Sequence, residues 1–198
     1  MKDPPHAFSG RQGAALLIID MINDLDFPGG GSLLPKALAA GESILRLREQ
    51  ADRLAMPVVY VNDNYGHWRS ERSSIIEACR ETSHGRALVE QMAPRDTDYF
   101  VVKPQFSGFY ATTLQVLLPK LGVSRLVLTG IAADMCVLFT AADGHMRDYS
   151  LWTPHDAVAS LSDERCAWAL EIMRAGMGAE TRPTSVLTLR DWCNADPR

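Results

Sequence analysis

Short apolar runs alternate with segments of helical periodicity along most of this chain. The runs, which are typical of strands buried on both faces of a sheet, occupy residues 14–19, 58–61, 99–102, 125–129 and 149–153, and a sixth strand is expected within 179–187. Apolar residues at helical spacing predict helices over 36–55, 112–118, 136–147 and 163–177, and two short helices within 73–92 that break near 83–85. Residues 21–34 are expected to form a loop, and Ser162 to be the N-cap of the helix over 163–177.

Strands that alternate with helices in one chain indicate a parallel sheet covered by helices on both faces. The pattern therefore predicts an α/β protein with three layers, α/β/α, around a six-stranded parallel sheet. A length of 198 residues suits one domain, 1–198, and is too short for two ordinary ones. Residues 1–13 are expected to form a flexible N-terminal arm.

Composition excludes several classes of partner. A net charge of −4 gives no electrostatic reason to bind nucleic acid, and no apolar run approaches the length of about 20 residues that a membrane span needs. The N-terminal residues carry no apolar signal core, and the four cysteines are too scattered for a disulfide framework or a Cys-x-x-Cys zinc site. Gly29-Gly30-Gly31 lacks the spacing of a nucleotide-binding fingerprint. We therefore expect a cytoplasmic protein with reduced thiols and no cofactor.

The residues that end the predicted strands carry the chemistry. Asp20, Asp63 and Lys103 follow the first three apolar runs, and Cys136 follows the fourth, at the expected start of a helix. Ligands of parallel α/β sheets bind beyond the carboxyl ends of the strands, where these side chains would meet. A helix N-terminus stabilises a thiolate and lowers the pKa of its thiol. Cys136 is thus predicted to be a nucleophile, with Asp20 as its base and Lys103 as the supporting cation. The backbone N–H groups around Ala132 and Cys136 could then receive an oxyanion.

Three stretches in this order resemble the isochorismatase-like cysteine hydrolases, which include nicotinamidases, N-carbamoylsarcosine amidases and ureidoacrylate amidohydrolases. They read LLIIDMIND at 16–24, KPQFSGF at 103–109 and TGIAADMCV at 129–137. The resemblance implies a Rossmann-like fold and homo-oligomers. It makes Asp20 the general acid and base, Lys103 the supporting cation and Cys136 the nucleophile. It also implies a cis peptide between Ile131 and Ala132, which turns the Ala132 N–H into the oxyanion hole.

We expect a small-molecule substrate to contact Leu25, Asn64, Trp68, Phe109 and Ile131. Nicotinamidases typically carry Asp-x-His after the second strand to bind a metal, whereas this chain has Asn-Asp-Asn-Tyr-Gly-His-Trp at 62–68. That departure disfavours nicotinamide as the substrate, and we expect no metal.

Asp63 and His67 remain open between ligating a metal and bracing the loop, and Asp134 is expected to be a helix N-cap rather than a catalytic group. The predicted function is hydrolysis of a C–N bond in a small amide or ureido compound, through a thioester on Cys136. The alternative is a non-enzymatic or thiol-redox protein on the same fold that uses Cys136 as an oxidisable thiol.

Overall fold

The computed structural model describes residues 13–66 and 71–195. Its strands are β1 (Gly13–Ile19), β2 (Val58–Asp63), β3 (Tyr99–Lys103), β4 (Val123–Ile131), β5 (Ser150–Trp152) and β6 (Val158–Ala159). Its helices are α1 (Gly30–Arg53), α2 (Arg72–Glu81), α3 (Ser83–Met92), α4 (Leu114–Lys120), α5 (Leu138–His145), α6 (Asp163–Met177) and α7 (Leu189–Asn194). A π-helical turn (Ala133–Val137) leads into α5, and a 3-10 turn (His155–Ala157) leads into β6. This order confirms the predicted alternation of strands and helices.

The six strands form one sheet in which every pairing is parallel, as the sequence predicts. The order is β3-β2-β1-β4-β5, and the short β6 pairs with the end of β4. At the carboxyl edge, Ile19 of β1 pairs with Val61 on one side and with Gly130 on the other. The last residues of β2 and β3, Asp63 and Lys103, face each other in register. Residues that end β1, β2, β3 and β4 thus become neighbours at one edge.

Side chains of the central strand β1 alternate between two buried layers. Leu16 and Ile18 pack with α1, α3 and α7, whereas Leu17 and Ile19 pack with α4, α5 and α6. All four are fully buried, and each contributes about 1.5–3 kcal/mol through burial of its apolar surface. Within the described residues, no helix combines the length and apolarity needed to cross a bilayer.

The expected loop over 21–34 is wrong from Gly30 onward, because α1 begins there rather than at residue 36. Gly29 adopts a left-handed backbone with a φ of 90°, which turns the chain into the helix. The helix then starts directly against the preceding loop, where a Cβ on Gly30 would lie 2.0 Å from the carbonyl oxygen of Leu25. Sequence reasoning took these glycines for loop residues, although their lack of side chains permits this close packing.

The strand expected within 179–187 is also wrong, because the sixth strand is β6. Glu180 forms only an isolated bridge to Trp152, after which its carboxylate accepts the N–H groups of Thr181 and Arg182 and turns the chain away. The helix α7 was not anticipated. The cap of α6 is confirmed, since the Ser162 hydroxyl accepts the N–H of Arg165.

The boundary of the predicted N-terminal arm needs one correction, because Gly13 belongs to β1. Residues 1–12 lie outside the described part of the chain.

Candidate active site

Asp20, Lys103 and Cys136 meet at the carboxyl edge of the sheet. The Lys103 Nζ lies 2.9 Å from Asp20 Oδ2 and 3.4 Å from Cys136 Sγ. The Lys103 side chain is 0% exposed and that of Asp20 is 6% exposed, so their charges interact with little screening by solvent. The structure therefore brings together the three side chains that were singled out because they follow predicted strands.

Asp63 is a fourth member of this cluster, and sequence reasoning left its role open. Its Oδ2 lies 3.2 Å from the Lys103 Nζ, and its Oδ1 accepts the N–H of Tyr65 at 2.7 Å. Its own N–H donates to Asp20 Oδ1 at 2.7 Å. These contacts brace the loop and the two charged neighbours. His67 lies outside the described residues, within which no His, Cys, Asp or Glu group has the arrangement of a metal site.

The electrostatics of the cluster differ from the sequence prediction for Cys136. Burial raises the pKa of the Cys136 thiol, and Asp20 raises it further, which together outweigh the lowering effect of Lys103. The expectation of a lowered thiol pKa is therefore wrong. The main cause of the raised thiol pKa is desolvation. In addition, Cys136 lies in the π-helical turn rather than in the first turn of α5.

The two charged partners have perturbed pKa values as well. Burial raises the pKa of Asp20, although Lys103 and a hydrogen bond from the Cys136 thiol oppose the rise. Burial opposes the charge of Lys103, but Asp20, Cys136 and Asp63 outweigh it, and the pKa of Lys103 lies above its ordinary value. The free site thus combines a protonated thiol with a firmly charged ammonium, and the Asp20 carboxylate is placed to accept the thiol proton.

The turn that carries the thiol connects β4 to α5. The Ile131–Ala132 peptide bond is cis, and the Ala132 carbonyl then accepts N–H groups from within Ala133–Val137. Asp134 does not cap the helix as expected. Its carboxylate instead accepts the Ser160 hydroxyl and pairs with Arg165 Nε, each at 2.6 Å. These bonds attach the turn to the segment that joins β6 to α6 and to the first turn of α6.

A buried threonine ties the loop that follows β3 to the thiol-bearing turn. The Thr140 hydroxyl donates to the Cys136 carbonyl at 2.7 Å and accepts the Gly108 N–H at 2.9 Å. Gly108 follows Lys103 in the next loop, and Thr140 is 0% exposed. Sequence reasoning missed this residue. Its only signal was a threonine four positions after the cysteine, where a hydroxyl often bonds the carbonyl of the preceding helical turn.

The residues expected to touch substrate occupy different environments. Leu25, Phe109 and Ile131 are 1%, 1% and 2% exposed and pack within the two hydrophobic layers. Asn64 is 6% exposed, and its side chain accepts a backbone N–H two residues on. Trp68 lies outside the described residues. The structure thus gives a packing role for the first three, and substrate contact by this set stays a prediction.

A cavity of about 610 Å³ lies at the opposite edge of the sheet, at the amino ends of β4 and β5. The buried Arg125 lines this cavity, and its guanidinium donates to the carbonyls of Trp192 and Ala195 at the end of α7. Positive charge at a helix C-terminus is stabilising, which accounts for this arginine. The thiol, carboxylate and ammonium of the candidate site do not line this cavity.

Comparison with known proteins agrees with the parallel α/β fold of this chain. A family model described as the isochorismatase domain matches residues 14–185. The chain therefore belongs to the isochorismatase family.

Individual relatives cover nearly the same span. An uncharacterized isochorismatase family protein of Bacillus subtilis, YaaI, is 42% identical over 84% of this chain and 91% of its own. The solved structure of an isochorismatase family protein from Desulfovibrio vulgaris is 26% identical, with a TM-score of 0.72 over 88% of this chain and 96% of that one. The N-carbamoylsarcosine amidase of Thermoplasma acidophilum is 28% identical, with a TM-score of 0.68 over 87% and 97% of the two chains.

Proposed function

We propose that this protein is a cysteine amidohydrolase that cleaves a C–N bond of a small amide or ureido compound through a thioester on Cys136. The observation that carries the proposal is the contact of one buried ammonium, that of Lys103, with both a carboxylate and a thiol. A thiol needs an adjacent base and a fixed charge to act as a nucleophile, and this cluster supplies both. The similarity to the Thermoplasma amidase supports the choice of a C–N bond.

In the first half of the proposed reaction, Cys136 Sγ attacks the substrate carbonyl carbon and its proton passes to Asp20. The raised pKa of Asp20 suits this step, because a more basic carboxylate is a better proton acceptor. The backbone N–H groups of Ala132 and Cys136 receive the oxyanion, and Lys103 stabilises the negative charge of the attacking sulfur. The C–N bond then breaks, and Asp20 returns its proton to the leaving nitrogen.

The second half releases the acyl group to water. Asp20, again a carboxylate, takes a proton from a water molecule as that water attacks the thioester carbonyl. The C–S bond breaks, the product leaves as a carboxylic or carbamic acid, and the proton on Asp20 returns to the Cys136 sulfur. Every group in this scheme belongs to the chain, the substrate or water.

The raised pKa of Cys136 also bears on the thiol-redox alternative. Oxidation by peroxide proceeds through the thiolate, so a buried thiol whose pKa lies above its ordinary value reacts slowly. Mass spectrometry after mild peroxide treatment measures this directly. After mild peroxide treatment under the conditions of the hydrolysis assay, we expect Cys136 to remain a thiol.

The test of the proposal is release of ammonia from a panel of small amides and ureides. We expect wild-type turnover of at least one member, and a loss of about a thousandfold or more in Cys136→Ala and in Asp20→Asn. Cys193→Ala is the matched control, because it removes a partly buried thiol in α7 outside the site. Full activity in folded Cys136→Ala would contradict the mechanism.

A further inference from the structure

The Lys103 ammonium has as many acceptors around it as it has N–H groups. An ammonium offers three donors, and the described neighbours are Asp20 Oδ2 at 2.9 Å, Asp63 Oδ2 at 3.2 Å and Cys136 Sγ at 3.4 Å. The side chain is fully buried, so water cannot replace a lost acceptor without opening the site. The orientation of the ammonium therefore depends on all three partners.

Asp63 is held so that it fixes both charged members of the cluster. It ends β2 directly opposite Lys103, and its backbone N–H donates to Asp20 Oδ1, whereas the Lys103 ammonium pairs with Asp20 Oδ2. Its Oδ1 accepts the Tyr65 N–H, which prevents the carboxylate from rotating away from Lys103. One residue thus locates the proposed base through its main chain and the proposed cation through its side chain.

We infer that Asp63 is a positioning residue of this site. Its carboxylate accepts the third N–H of Lys103 and so weakens the attraction between the ammonium and the anionic forms of Cys136 and Asp20. The inference rests on the proposed function for its catalytic consequence, but its electrostatic part concerns the free enzyme alone. The Lys103 charge is shared among three partners, so the thiol keeps its proton and Asp20 keeps its basicity until substrate arrives.

The charged and titratable groups around Asp20 come from three neighbouring elements. They are Lys103 from β3, Cys136 from the π-helical turn, and Asp63 with Tyr65 from the end of β2. If the charge of Asp63 is removed, Lys103 stabilises the anionic forms of Asp20 and Cys136 more strongly. A thiolate at Cys136 then forms at lower pH, and Asp20 becomes a weaker base.

Asp63→Asn should have two opposite effects. Alkylation of Cys136 by iodoacetamide reports the thiolate, and we expect its pH midpoint to fall by about one unit. Hydrolysis needs a basic Asp20 and a fixed Lys103, so we expect kcat to fall about tenfold while KM changes little. A merely structural role would slow hydrolysis without moving the alkylation midpoint to lower pH.

The variant is designed to keep the local fold. An asparagine at 63 retains an oxygen that can accept the Tyr65 N–H. The matched control is Asp24→Asn, because the Asp24 carboxylate accepts the N–H of Asp26 in the same kind of turn and is not an ion-pair partner of Lys103 in the described part of the chain. If Asp63→Asn fails to fold, Asp63→Ser offers a hydroxyl to the same N–H and permits the same measurements.

The measurements are the pH dependence of alkylation, with the modified residue located by mass spectrometry, and steady-state hydrolysis of the best substrate. A lower alkylation midpoint in Asp63→Asn, with Asp24→Asn matching wild type, supports the inference. An unmoved midpoint in the folded variant, or an equal shift in the control, overturns it. If wild type hydrolyses no amide or ureide, the proposed function fails, whereas the alkylation experiment still decides the role of Asp63.

Discussion

Replacing Lys103 with methionine tests how strongly the fold depends on the buried charge cluster. Methionine has a similar length and no charge, so it preserves packing and leaves the Asp20 carboxylate, 6% exposed, without its cation. Removing one partner of a buried ion pair costs about 3–5 kcal/mol of unfolding free energy, since the other charge stays buried. The loss of Lys103 costs Asp63 less, because its side chain is 29% exposed and water can solvate that carboxylate once the cation is gone. We therefore expect Lys103→Met to lose about 3–5 kcal/mol at pH 8.

The loss should shrink as the pH falls, and the sign follows from Asp20. Burial raises the pKa of this carboxyl and Lys103 lowers it, so loss of Lys103 raises it further. Above that pKa the native variant holds an unpaired buried carboxylate. Below it the native state binds a proton that the unfolded chain releases, which restores stability. The difference between wild type and variant is thus greatest at high pH and smaller near pH 5.

Urea unfolding followed by circular dichroism at pH 8 and near pH 5 provides the measurement. The control is Lys36→Met, which breaks an ion pair between Lys36 and Asp163. Their side chains are 35% and 88% exposed, respectively. Exposed pairs contribute at most about 1 kcal/mol, so this control should change stability little at either pH. A Lys103→Met variant that is no less stable than Lys36→Met, or whose loss of unfolding free energy is independent of pH, would refute a stabilising role for the buried ion pair.

Two further substitutions test the connections that hold the site. Thr140→Val should lose about 1–3 kcal/mol in urea unfolding, because it leaves the buried Gly108 N–H unpaired, and should lower kcat; Thr140→Ser keeps the hydroxyl and should restore both. If Thr140→Val has the same unfolding free energy and the same kcat as wild type, Thr140 has no positioning role. Gly130→Ala should prevent folding to soluble protein, since its φ is 107° and its Cβ would lie 2.0 Å from the Ile19 carbonyl oxygen. Gly176→Ala, with open space around its Cβ inside α6, should fold normally, and equal yields of both variants would contradict this account.

Local pattern was sufficient to predict the fold class and most of the candidate site. Apolar runs buried on both faces, as in 14–19, specify parallel strands because only a sheet covered on both sides buries them completely. Parallel strands place their carboxyl ends at one edge, so Asp20 and Lys103 could be assigned to one site from their positions after strands. Cys136 was assigned to the same site by its position after the fourth apolar run, and the family resemblance of the three motifs implies the same roles for all three side chains.

Tertiary structure decided what depends on contacts distant in sequence. The start of α1 depends on how closely Gly30 packs against the preceding loop, and the sixth strand depends on which backbone reaches the end of β4. The pKa of Cys136 is set by desolvation and by Asp20, which the helix-terminus argument alone could not include. The pairing of Asp63 with Lys103 arises from the register of β2 on β3. A sequence specifies which groups end the strands, whereas burial and register decide which charges meet and which protons they hold.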